Sequence, residues 1–120
     1  VFKPFLMLTA SLSLAASPAV AEHKTKLIPP AFHGSWHEPE RACQYEFGYV
    51  NIEEDSLYFE EAEGTVTSVT IHDKRSISVT AQFTGEWTPG GGKPIRLTLS
   101  ADGREMTAYV SGAVKLVRCP

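Results

Sequence analysis

His33 and His37, four residues apart with Glu38 and Glu40 close behind, carry the donor types of a metal site. On a β-strand, positions four apart share a face but stand about 13 Å from each other, too far to ligate one ion without a bend. The segment around them alternates with period two, so it predicts outward, solvated imidazoles and no metal site. Glu53, Glu54, Asp55, Glu60, Glu61 and Glu63 cluster in the sequence. Paired carboxylates can do acid and base work, but these flank turns or alternate with apolar residues. They read as a solvated acidic rim, with a contact patch for a basic partner as the functional alternative. No serine sits in a G-x-S-x-G turn, and no nucleophile, base and orienting group stand together by motif. No catalytic residue and no cofactor are assigned, and the chain is read as not an enzyme. Gly90-Gly91-Gly92-Lys93 shares only its composition with a phosphate cradle, because a proline and a strand follow it instead of a helix. Tyr45, Phe47 and Tyr49, together with Trp87 and Lys93 of this loop region, form the candidate binding surface. The same aromatics could instead plug the end of a barrel.

Positioning these side chains falls to a short chain. Residues 1–21 hold one early positive charge, Lys3, then an apolar stretch from Phe5 to about Ala16, then Ser17-Pro18-Ala19-Val20-Ala21. That is the pattern of a signal peptide cut after Ala21, and its apolar run is shorter than the roughly 20 residues of a spanning helix. The expectation is a periplasmic or secreted protein without a membrane span. Residues 22–31 then form an extended N-terminal arm ending in Pro29-Pro30, with a mobile start, and residues 32–120 form a single domain. Removing Lys3 leaves 14 acidic against 10 basic residues, a net charge of −4. An acidic chain is a poor candidate for nucleic acid or anionic lipid, and a basic protein is the easier partner.

The two cysteines, Cys43 and Cys119, can pair in only one way. In an oxidising compartment they read as a structural disulfide, the alternative being two unrelated buried thiols.

From Ala31 onward the pattern is that of short strands. Ala31 to Glu38 places Phe32, Gly34 and Trp36 on one face, with Trp36 directed inward. Val50 and Ile52 share a face, as do Leu57 and Phe59; the parity shift between Val66 and Val69 suggests a β-bulge. Ile77, Val79, Ala81 and Phe83 alternate cleanly, the segment 88–94 is a mobile loop, and Ile95, Leu97 and Leu99 form the next run. Asp102-Gly103 and Ser111-Gly112 mark hairpin turns around Met106 and Ala108, followed by Val114 and Leu116. The fold class is therefore all-β, about eight short antiparallel strands. Tight connections favour closure into a small up-and-down barrel, filled by its large side chains, over a β-sandwich.

Gly34-Ser35-Trp36 after Pro29-Pro30-Ala31 resembles the G-x-W motif on the first strand of lipocalin-like (calycin-type) barrels. That resemblance implies that an arginine of the last strand, here Arg118, packs across Trp36 to close one end of the barrel. The outline is also similar to bacterial periplasmic inhibitors of secreted metalloproteases: a leader, a small barrel, an early G-x-W and a cysteine soon after it, as Cys43 follows Trp36. Those proteins insert an N-terminal arm into the protease cleft, which implies such a role for residues 22–30. Their second cysteine lies mid-barrel, whereas Cys119 is C-terminal. Ser111-Gly112 resembles the first half of a loop motif of small-barrel lysozyme inhibitors. The sequence thus leaves three roles: a monomeric, exported binding protein, an inhibitor of a secreted protease or lysozyme, and a passive envelope component.

Overall fold

The computed structural model describes residues 21–42, 44 and 47–119. Among them are nine strands: β1 (His23–Thr25), β2 (Gly34–His37), β3 (Val50–Ile52), β4 (Ser56–Phe59), β5 (Ala62–Asp73), β6 (Ser76–Gly85), β7 (Ile95–Leu99), β8 (Glu105–Tyr109) and β9 (Ala113–Arg118). From β2 to β9 each strand pairs antiparallel with the next, and β2 pairs with β9. Eight strands therefore close a meander into a barrel. Three 3-10 turns, Pro30–Phe32, Pro39–Arg41 and Pro89–Gly92, punctuate the connections.

The alternating apolar residues supply the interior. Trp36, Ile77, Val79, Ile95 and Leu116 are fully buried, with Phe32, Val50, Leu57 and Met106 packed among them. The clean period-two run of β6 buries Ile77 and Val79, while Ala81 and Phe83 become half-exposed toward one end of the barrel. In β5 the register against β6 shifts between Val66 and Ser68, which lets Val66 and Val69 serve one strand despite their unequal parity.

One end of the barrel is sealed. Residues 26–33 cross it, burying Ile28 and Phe32. The Trp36 indole Nε1 donates to the Phe32 carbonyl at 3.0 Å, and the Arg118 guanidinium lies 4.1 Å from the centroid of the Trp36 ring. Arg118 spends its donors on three carbonyls: His33 (2.7 Å), Ala31 (2.7 Å) and Gly103 (3.0 Å). Burial draws its pKa below the ordinary guanidinium value, yet the group stays charged. A side chain at Gly34 could not coexist with this arrangement. Its Cβ would stand 2.8 Å from Arg118 Nη1, at a backbone φ of +122°.

The hairpin that gives Arg118 one of its acceptors contains Asp102. Its carboxylate accepts from the backbone N–H of Arg104 (3.0 Å) and the hydroxyl of Ser100 (2.7 Å), and those bonds, in that order, hold its pKa below the usual carboxylate range. A carboxyl with a depressed folded-state pKa contributes stability that is complete above its unfolded pKa and is lost as pH falls through the folded value. The stability difference between the protein and its Asp102→Ala variant should therefore be constant near neutrality and shrink in acid below the ordinary carboxylate range. Urea midpoints measured across that range check this, and a difference unchanged in acid would refute it.

The structure departs from the sequence reading at several points. The start of the arm is not free: β1 pairs with β5, His23 opposite Ile71 and Thr25 opposite Val69, and adds a ninth strand on the same edge that β4 occupies further along. In the tautomer protonated on Nδ1, His72 fastens it by donating to the Glu22 carboxylate at 2.9 Å and accepting from the Ser78 hydroxyl at 2.7 Å. The first strand of the barrel begins at Gly34, because Pro30 starts a 3-10 turn that carries Phe32 into the core by another route. His37 is buried at 4 % exposure and bonded to Ser35 Oγ, and His33 Nε2 donates to the Ile28 carbonyl at 2.6 Å. His37 is therefore buried and His33 half-buried, each with a ring nitrogen bonded within the protein, and neither is a fully solvated imidazole. Segment 88–94 contains a 3-10 turn, with Pro89 buried and internal bonds from Gly91 N–H to the Thr88 carbonyl (3.0 Å) and from Lys93 N–H to the Gly90 carbonyl (3.1 Å).

Candidate functional site

Opposite the sealed end, the barrel opens among the β2–β3, β4–β5 and β6–β7 connections. A cleft of about 980 Å³ begins there and continues over the outer face of β2, β3 and β4. Its geometry follows from register. Trp36, Val50 and Phe59 stand opposite one another in neighbouring strands and face inward, so the next row, Ser35, Asn51 and Tyr58, faces outward. Asn51 and Tyr58 thus become part of the cleft wall together with His37, the last residue of β2.

The mouth is aromatic. Phe59, at the end of β4, makes edge-type contacts with Tyr49 (5.8 Å between centroids), Phe83 (6.0 Å) and Trp87 (5.7 Å). Trp87 is 38 % exposed and Phe47 74 % exposed, unusual for large aromatic side chains on a small domain. The connection carrying Phe47 and Tyr49 is held close to β2 by the Tyr49 N–H bond to the Trp36 carbonyl at 2.7 Å. Gly48 permits that approach, because a Cβ there would overlap the Trp36 carbonyl and sit 2.9 Å from Ser35 Oγ.

Carboxylates ring these aromatic faces. Glu38, Glu60 and Glu61 all line the cleft, and none makes a side-chain hydrogen bond or ion pair with another described residue. Among the described residues Arg41 is the one Lys or Arg that lines the cleft, and it too lacks such a partner. The Tyr49 hydroxyl has its pKa raised, first by burial and then by the negative charge of Glu38. Asn51 Oδ1 is buried with no hydrogen-bond partner, a condition that costs about 1–3 kcal/mol in a protein interior. The site therefore offers aromatic faces and unsatisfied acceptors. Among the described residues no group of three or more His, Cys, Asp or Glu is placed to hold a metal ion.

Of the residues singled out from sequence, Phe47, Tyr49 and Trp87 come together at this cleft. Lys93 is exposed and is not among the lining residues. Tyr45 lies outside the described residues, as does Cys43; Cys119 directly follows β9, and no described cysteine is a free thiol. Sequence reasoning did not place His37, Glu38, Arg41, Asn51 or Tyr58 in a site. The available signal was Asn51, a polar residue between the inward pair Val50 and Ile52 and hence facing outward.

Comparison with family models, with curated proteins and with solved structures finds no match to this chain.

Proposed function

We propose that this chain is an exported, non-enzymatic β-barrel binding protein that takes its ligand at the open end. The single observation that carries the reading is the cleft of about 980 Å³ walled by exposed aromatic side chains, at the end opposite the Trp36–Arg118 seal. A filled core leaves little room inside an eight-stranded barrel, which favours capture at the mouth over carriage in the interior. Export rests on the leader pattern of residues 1–21, and the absence of catalysis on the lack of a nucleophile–base set in the sequence. In the same oxidising setting, Cys43 and Cys119 form the disulfide.

Inhibition of a secreted hydrolase is compatible with the same cleft. Inhibition through the N-terminal arm has less to support it, because residues 23–25 are engaged with β5.

The test is capture. Immobilised, oxidised protein should retain a stoichiometric partner from an exported-protein fraction, and Phe47→Ala together with Trp87→Ala should abolish retention while the thermal melt stays cooperative. Equal retention by the folded double variant would place binding elsewhere and refute the reading. If the partner is a protease or lysozyme, loss of its activity at one-to-one stoichiometry identifies the inhibitor.

A further inference from the structure

Given the binding role proposed above, on which this inference rests, the chemistry of the cleft narrows the ligand. We propose that it receives a guanidinium group, presented by an arginine-bearing segment of a basic protein. Among the described residues lining the cleft, three carboxylates, Glu38, Glu60 and Glu61, stand against one guanidinium, Arg41, an excess of two negative charges. These carboxylates have no ion pair or hydrogen bond to another described residue, so their attraction is not spent within the protein.

A second observation is independent of charge. Asn51 Oδ1, on the same wall, is a buried acceptor without a donor. That acceptor calls for a donor, and guanidinium supplies five N–H donors in one plane. A third is the aromatic surface: Trp87 and Phe47 are exposed and line the mouth, and a planar cation stacks on aromatic rings more favourably than a compact ammonium does. A neutral apolar ligand would leave the carboxylates and Asn51 unsatisfied. An anion would meet the excess negative charge.

The intrinsic fluorescence of Trp87 reports on the site, because the other tryptophan, Trp36, is fully buried. The full chain is titrated with Gly-Arg-Gly-Arg-Gly, with its lysine counterpart, and with its citrulline counterpart, which keeps the shape of arginine but lacks the charge. Saturable binding is expected for the arginine peptide, weaker binding for lysine, and none for citrulline at the same concentrations. Glu60→Gln with Glu61→Gln should weaken arginine binding about tenfold or more, and added salt should weaken it further. Phe47→Ala should also weaken it, and being so exposed this variant should keep the native melt. Glu53→Gln with Glu54→Gln, at the β3–β4 turn on the sealed end, should leave it unchanged. Equal binding of citrulline, an equal loss from the Glu53/Glu54 variant, or no saturable arginine binding would each overturn the proposal. In the last case, if the captured partner is still lost on Phe47→Ala with Trp87→Ala, the binding role stands and only the guanidinium assignment falls.

Discussion

Trp36→Ala is expected to lower the free energy of unfolding by about 3–5 kcal/mol, the largest effect of any single substitution in the barrel. Trp36 is wholly buried, and its removal opens a cavity that the meander cannot collapse into, since the ring stands at the junction of β2 with β9. It also deprives the Phe32 carbonyl of its donor and leaves Arg118 without its aromatic partner. Arg118→Lys keeps the charge but cannot reach the His33, Ala31 and Gly103 carbonyls at once, and should cost about 1–3 kcal/mol. Urea unfolding of the two variants and of their combination gives the coupling between the side chains, expected at about 0.5–2 kcal/mol. A Trp36→Ala loss below about 1 kcal/mol would mean that the seal is not a stabilising element.

Reduction should come next in size. The proposed disulfide between Cys43 and Cys119 closes a loop of about 75 residues, worth about 4 kcal/mol on the chain-entropy model. Cys119 follows Arg118, whose strand partner is Trp36, so a bridge from Cys43 would reinforce the β2–β9 junction. Dithiothreitol and Cys43→Ser should each lower the urea midpoint by a similar amount while the far-ultraviolet β signature persists, because the buried core is untouched. Titration of the unreduced protein with a thiol reagent should find no free thiol. Two reactive thiols in the unreduced protein would dispose of the pairing.

Most of the barrel is legible in the amino-acid order because each of its walls is buried on one face only. Ile77 and Val79, Ile95 with Leu97 and Leu99, and Met106 with Ala108 alternate with polar neighbours and lie in the core. The irregular spacing of Val66 and Val69 marks the register shift seen between β5 and β6. Legibility fails where structure arises from something other than that alternation. β1 is polar and short, and it joins the sheet through its backbone, which leaves no hydrophobic period to read. His37 has the parity of an outward residue, but parity names a face without saying whether another segment covers it. The cleft suffers most, since its walls come from four separated stretches and acquire meaning only when β3 and β4 bring Asn51 beside Tyr58. The aromatic residues were legible as candidates because large exposed rings are few; the acceptors that surround them resemble any solvated acidic surface until their lack of partners is seen.

The β2–β9 junction also bears on the order of folding. Every other pairing in the ring joins consecutive strands, and the β5–β6 hairpin is the longest of them. Consecutive hairpins close short loops and form early, whereas Trp36 must find Arg118 across almost the whole domain, at a much larger loop-closure entropy. The ring therefore closes last. Substitutions at Trp36 or Arg118 should accordingly register in the unfolding limb of a kinetic chevron and leave the folding limb nearly unmoved, which makes this junction a determinant of how long the protein stays folded once folded.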